Sequence, residues 1–349
     1  MKGVVKGVLK GVVKGVVLAA GKGVRMRELT AHFAKPLLPV ANKPALGWTL
    51  EALHAAGVRD VLLVVGHRRR QVRRAIGDGA AFGLRVQYIE QPRMQGTGEA
   101  AMCARDFTGD EPFILAFGDI LTPPLNFTAL VREFDRHRPD AVLTTRRVSD
   151  PCDGAAVYVE DGVVTRIIEK PPKGASTTPF DNAGIFVFTP VIYELLERVG
   201  LSPRGEYELT DALHKLAQDR ATLRAVELTG FWSNITSPEE LLRANRHMLA
   251  HLRATGRLPD VIGLHHLAVA DETAVFGDCV TGENVCLGPG STVGESAALT
   301  WAVLCEGASV GKRATVEYAF LLPGARVHDG VTLVGSPERI EIVASDETT

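Results

Sequence analysis

The stretch "LAAGKGVRMRELTAHFAKPLLPV", Leu18 to Val40, places two glycines and two cations close together directly after an apolar run. Gly21 and Gly23 let the chain turn sharply and leave backbone N–H groups open to phosphate oxygens, because no Cβ stands in the way. Arg25 follows the second glycine, and Lys35 comes ten residues after Arg25. Two fixed cations beside such a turn suit a triphosphate. The turn is not a Walker A loop, since no Gly-Lys-Ser/Thr follows at the required spacing. Nor does it complete the G-x-G-x-x-G of a dinucleotide site, because Met26 occupies the place of the third glycine.

These residues need a scaffold, and the flanking chain reads as one. "GVVLAA", "DVLLVVG", "RVQYIEQ" and "FILAFGD" are short, rich in aliphatic residues and bounded by polar or glycine turns, which predicts strands. "PALGWTLEALHAAG", "GTGEAAMCARDF" and "NFTALVREFDRH" carry helical periodicity between them. Such alternation predicts an α/β, Rossmann-like, mostly parallel sheet covered on both faces, with ligands beyond the carboxyl ends of its strands. The motif "KGVV" is written four times, nearly unchanged, before the glycine turn. Only the fourth copy leads into that turn, and a strand needs only about 5–6 residues. Residues 1–13 are therefore expected to be a dispensable extension, and 14–255 the α/β domain.

After Pro259 the texture changes. Leu287, Val293 and Leu299 recur every six residues, as do Leu304, Val310 and Val316, and then Leu321 and Val327. This period predicts a short left-handed parallel β-helix of hexapeptide repeats over 259–343, each aliphatic side chain stacking inward on the next coil. The register shortens by one residue near Trp301 and Tyr318.

Composition narrows the partners. The 349 residues have a formal net charge of −2, which gives no reason to expect nucleic acid. The run "HRRRQVRR" reads as the solvated face of a helix. Five cysteines lie far apart, without metal-ligand spacing, as in a reduced cytoplasmic protein. No apolar run reaches the length of a membrane span, so no membrane partner is expected.

In motif order the chain from Lys14 to about Ala254 resembles the sugar-1-phosphate nucleotidyltransferases, and among them the glucose-1-phosphate thymidylyltransferases with a β-helix extension. "LAAGKGVRM" is similar to the family's G-x-G-T-R-[ML] signature, with Val24 where threonine is usual. The resemblance implies nucleotide contacts at Leu18, Ala20, Gly21 and Gly23. It makes "EQPRMQGTGEA" the base-reading segment, where Gln91 can pair its amide with a pyrimidine edge and Gly96 and Thr97 lie close to the base. It puts Mg²⁺ on Asp119, in "FGDI", and on Asn234, in "FWSN". Thymidylyltransferases usually carry aspartate at that second place, whereas uridylyltransferases for N-acetylglucosamine 1-phosphate use asparagine. On the sugar side it implies Gly154, Glu169, Lys170 and Asn182. In "GEYELTDALH" it implies Glu206 or Glu208, with Glu206 taken first.

The activity so implied is transfer of a nucleotidyl group from dTTP or UTP to a sugar 1-phosphate, glucose 1-phosphate first, with release of pyrophosphate. Arg25 and Lys35 would hold the triphosphate and the leaving pyrophosphate, and Lys170 the incoming phosphate. A homo-oligomer is expected, with the C-terminal coils packing on a neighbouring subunit or on the catalytic domain. Two other readings remain. One is a UTP-dependent enzyme for glucose or N-acetylglucosamine 1-phosphate, and the other a non-catalytic sensor of sugar nucleotides. An acyltransferase in the tail is disfavoured, because His328 is the only histidine after His266.

Overall fold

The computed structural model describes residues 14–219, 222–259 and 267–345. The first three KGVV copies lie outside the described residues. The chain divides into two units, one formed by the chain up to Gly21 with Leu46–Trp232, the other by Lys22–Ala45 with Ser233–Thr349. The segment after the glycine turn and the helix Pro238–Ala254 group with the C-terminal strands.

Asn245, on that helix and fully buried, supplies the physical reason. Its Oδ1 accepts from Ala41 N at 2.8 Å and from Cys286 Sγ at 3.3 Å, and its Nδ2 donates to Pro39 O at 3.2 Å. Asn42 Nδ2 donates to Leu287 O at 2.7 Å, and Asn284 Nδ2 to Leu242 O at 2.9 Å. Buried amides demand such partners, so each one fixes the segments it joins. The helix itself starts on a well-formed cap. Ser237 Oγ accepts from Glu240 N, the Glu240 carboxylate reaches back to Thr236 N at 2.8 Å, and Pro238 takes the first turn.

The first unit is built on nine strands: β1 (Lys14–Ala19), β2 (Asp60–Val65), β3 (Arg85–Glu90), β4 (Phe113–Phe117), β5 (Ala141–Arg147), β6 (Ala155–Glu160), β7 (Val163–Glu169), β8 (Phe180–Phe188) and β9 (Leu223–Glu227). Their order is β3-β2-β1-β4-β8-β5-β9-β7-β6. The parallel arrangement holds for β3, β2, β1 and β4. Beyond β4 the sheet is mixed. β8 runs antiparallel to both β4 and β5, and β7 is antiparallel to β6 and β9. β1 begins at Lys14, whose Nζ donates to Thr108 O at 3.1 Å and pairs with Glu111 at 3.2 Å.

One face of this sheet carries a continuous core in which Val16, Leu62, Val64, Leu115, Leu143 and Phe186 meet the helices Thr97–Met102, Val191–Glu197 and Leu209–Gln218. Each aliphatic side chain fully buried there contributes about 1.5–3 kcal/mol. Helix Leu125–His137 packs on β5 and buries Phe127, Leu130, Val131 and Phe134. The arginine-rich run forms helix Arg69–Ile76, with Val72 and Ile76 buried and Arg69, Arg70, Arg73 and Arg74 exposed. Arg69 pairs with Glu90 at 2.6 Å. It is a solvated face.

In the second unit, parallel strands repeat at a spacing of seventeen residues. Val285 pairs with Ala302 and Ala302 with Ala319, while Val293 pairs with Val310 and Val310 with Val327. All eight aliphatic residues of the six-residue period lie in one buried cluster. Trp301 and Tyr318, where the register shortens, are left-handed (φ 50° and 48°) and stack at 5.4 Å. Among the described residues no helix is long and apolar enough to cross a membrane.

Candidate active site

Four parallel strands end along one rim of the first unit, and the backbone passes between them through close contacts. Gly118 N donates to Leu18 O at 2.9 Å, His67 N to Ala20 O at 3.1 Å and Gln91 N to Val65 O at 2.9 Å. A Cβ on Gly66 would stand 2.8 Å from Ala20 O, and one on Gly118 would stand 3.0 Å from Leu18 O. Leu18, Ala20, Gly21, Gln91 and Asp119 are thereby set along the carboxyl ends of the strands. Strand order reverses between β1 and β4, the switch point where open α/β sheets take their ligands. At Gly21 nothing lies within 4 Å of where a Cβ would be, and its φ is not positive. Gly21 is exposed, and its backbone lies open to solvent at the end of β1.

Gln91 is buried, and its Nε2 donates to Gly96 O at 3.0 Å and to Glu99 Oε2 at 3.1 Å. Gly96 and Gly98 have a reason for being glycine inside the protein itself. Their Cβ atoms would lie 2.5 Å and 2.9 Å from Tyr207 O. Gly98 N donates to Tyr207 O at 2.7 Å, and Tyr207 N to Gln95 O at 2.9 Å. Thr97 does not cap its own helix. Its Oγ1 accepts from Leu209 N at 3.0 Å, satisfying an orphan donor in the first turn of helix Leu209–Gln218. The segment read for the base and the segment read for the sugar are thus laced together.

A cleft of about 580 Å³ lies between β7 and helix Leu209–Gln218, lined by Glu169, Lys170, Arg204, Glu208, Asp211 and His214 among others. Arg204 Nη2 donates to Glu208 Oε1 at 2.6 Å and to Glu169 Oε1 at 3.3 Å, and Thr210 Oγ1 donates to Glu169 Oε2 at 2.9 Å. Burial pushes the Glu169 carboxyl up, against the pull of Thr210 and Arg204, and burial also raises Asp211. Lys170 is exposed and held in the left-handed region at φ 42°, an uncommon state for a side chain of this type. Its backbone N donates to Gly154 O at 2.8 Å. Asn182, on β8, uses its Oδ1 on Gly184 N at 3.1 Å.

Glu208 lines this cleft and is 5% exposed, whereas Glu206 is exposed and is not among the lining residues. Arg204 was missed by the sequence reading. Its spacing of four from Glu208 is visible in the chain, but its bond to Glu169 joins positions that no local pattern connects. The cleft lining carries both signs of charge, Arg166, Lys170 and Arg204 against Glu169, Glu208 and Asp211.

Arg25, Lys35 and Asn234 belong to the second unit. Gly23 is left-handed at φ 67°, and a Cβ there would meet Thr30 Cγ2 at 3.0 Å and Lys35 Cβ at 3.1 Å. Val24 stands exposed. The Asn234 Oδ1 is buried without a hydrogen-bond partner. A neutral oxygen left open is what a hard cation can use. Among the described residues no three His, Cys, Asp or Glu side chains cluster as a metal cage. Mg²⁺ keeps several waters and takes phosphate oxygens as ligands, so it needs few protein oxygens.

The fold and its rim define a nucleotide-binding α/β enzyme. The chain belongs to the nucleotidyl transferase family, whose pattern it matches over residues 14–251. It is 38% identical over 274 residues to a glucose-1-phosphate thymidylyltransferase of Streptomyces antibioticus, covering 76% of this chain and 72% of that protein. A second such enzyme, from Streptomyces griseus, is 38% identical over 239 residues, or 67% of this chain and 65% of that one. Among solved structures, a putative glucose-1-phosphate thymidylyltransferase from Bacillus anthracis in complex with a sucrose superposes with a TM-score of 0.62 at 25% identity. It covers 72% of this chain and 97% of that one.

Proposed function

We propose that this nucleotidyltransferase joins dTTP or UTP to a sugar 1-phosphate, glucose 1-phosphate first, giving a nucleoside-diphosphate sugar and pyrophosphate. Nucleotidyl transfer to a sugar 1-phosphate is the activity that its family and relatives support. The observation that carries the nucleotide part is the rim at the β1/β4 switch point, with the exposed glycine turn at Gly21 after β1 and the Gln91 amide after β3. The likeness to two thymidylyltransferases at 38% identity supports thymidine and glucose. Asn234, in place of the aspartate usual in thymidylyltransferases, favours the second reading, UTP with glucose or N-acetylglucosamine 1-phosphate.

Both substrates are polyanions, so the main barrier is to bring negative charge together. Catalysis is positioning and electrostatic stabilisation, with no covalent protein intermediate. Arg25 and Lys35 hold the triphosphate and the departing pyrophosphate. Lys170, with Arg204 beside it, holds the sugar phosphate whose oxygen attacks the α-phosphorus in line. Glu208 and Glu169 accept from sugar hydroxyls. Asp119 and Asn234 would hold Mg²⁺, which when bound neutralises phosphate charge. The C-terminal rungs are read as a short left-handed parallel β-helix that packs on a like subunit.

Pyrophosphate release from four NTPs against a panel of sugar 1-phosphates, with and without EDTA, tests this reading. Release with dTTP or UTP that EDTA abolishes supports it. No release with any pair favours the non-catalytic sensor.

A further inference from the structure

One buried carboxylate of the nucleotide rim has no role in the reading above. Glu99, in helix Thr97–Met102, is 8% exposed. Its Oε2 accepts from Gln95 N at 2.6 Å and from Gln91 Nε2 at 3.1 Å, and its Oε1 accepts from Arg93 Nε at 3.2 Å. The bond to Gln95 resembles the back-reach of a capping box and explains why a glutamate helps this helix begin. It does not explain the bond to Gln91.

A glutamine side chain has two N–H donors and one acceptor oxygen. In Gln91 both donors are engaged, one by Glu99 Oε2 and one by Gly96 O at 3.0 Å. Turning the amide over would set its oxygen against those two acceptors, so the orientation is fixed by its partners. The Oε1 is the polar atom left for a ligand. Burial pushes the Glu99 carboxyl up, but the Gln95 N–H, Gln91 and Arg93 together outweigh it and hold it below its ordinary value. Glu99 therefore stays ionised, and an acceptor, across the neutral range.

We infer that Glu99 sets base specificity: by holding the Gln91 amide with its oxygen free, it makes the site accept the ring N–H of uracil or thymine and repel cytosine. The matching ring nitrogen of cytosine is an acceptor, so oxygen would face a lone pair. This rests on the placement of the base at Gln91 in the function proposed above. Glu99 acts through Gln91 and is a positioning residue.

Equilibrium binding of UTP, dTTP and CTP by the intact protein tests it, with wild type, Glu99→Gln and Glu99→Met compared. These three bases are of similar size, so the ratio isolates the hydrogen-bond pattern. Wild type is expected to bind UTP and dTTP about 10- to 100-fold more tightly than CTP. In Glu99→Gln the Gln95 N–H selects the new amide oxygen, an acceptor still faces Gln91, and the ratio stays within about 3-fold of wild type. In Glu99→Met that acceptor is gone, and the UTP:CTP ratio collapses to within about 3-fold of unity.

A role in packing alone would weaken UTP and CTP binding together and leave the ratio intact. A wild type that binds CTP as tightly as UTP overturns the inference, as does a preserved ratio in Glu99→Met or a lost one in Glu99→Gln. If Glu99→Met does not fold, Glu99→Ala, which also removes the acceptor, must show the same collapse of the ratio. Pyrophosphate release separates the two claims. Discrimination in binding without turnover sinks the enzymatic reading alone, and turnover without discrimination sinks the role of Glu99 alone.

Discussion

Replacing Gly154 by alanine tests how the sugar side is held. The backbone there is one that alanine adopts freely, so only space opposes the change. A Cβ would lie 2.0 Å from Asp181 Oδ1 and 2.6 Å from its Cγ. Asp181 cannot swing aside. It is 2% exposed, accepts from Ala155 N at 2.8 Å, and is gripped by Arg146 Nε and Nη2 at 3.1 and 2.7 Å. Arg146 in turn sits 3.8 Å over the Trp232 ring. Forcing an atom into such a site costs about 1–3 kcal/mol, and losing the Ala155 bond about 1–3 more.

Gly154→Ala should therefore lose roughly 2–6 kcal/mol, seen as a fall in melting temperature of roughly 5–20 °C by calorimetry. Lys170 N is bonded to Gly154 O, so the KM for sugar phosphate should rise as well. In an Asp181→Ala background the obstructing atoms are absent. The same substitution should then cost less than about 0.5 kcal/mol, a coupling that a double-mutant cycle reads directly. A Gly154→Ala protein as stable as wild type would refute the reasoning. So would an equal loss in both backgrounds.

Two further outcomes are expected. Arg25→Ala and Lys35→Ala should each lower kcat/KM by about 10²–10³, the usual effect of removing one preorganised charge; near-full turnover in both would end their assignment to the triphosphate. The Glu99 carboxyl is held below its ordinary value of 4.5, so its stabilisation is complete above that pH and is lost as pH falls through the lower folded value. The stability gap between wild type and Glu99→Gln should shrink as thermal melts are taken below pH 4.5, and a gap that widens there would contradict the bonding described.

The strands of the rim were legible because their apolar runs are short and bounded. "DVLLVVG" and "FILAFGD" became Asp60–Val65 and Phe113–Phe117 with little change. The inward residues of the tail were legible for the same reason, since a six-residue period needs only one sequence to be seen. What lay hidden depends on partners far apart in the chain. No pattern announces that Asn245 joins Pro39, Ala41 and Cys286, so helix Pro238–Ala254 could not be assigned to its unit from sequence. The antiparallel placement of β8 between β4 and β5 is equally non-local. At the site, no local pattern shows that Gly96 and Gly98 make room for Tyr207 O, or that Glu208 is buried while Glu206 is exposed.

The most direct measurement is a crystal structure of the protein with Mg²⁺ and a nucleoside-diphosphate glucose of uridine or thymidine. The account predicts the base against Gln91 Oε1, the phosphates over Gly21, and the glucose in the cleft beside Lys170 and Glu208. A ligand lodged away from the strand ends, or a base turned from Gln91, would contradict it.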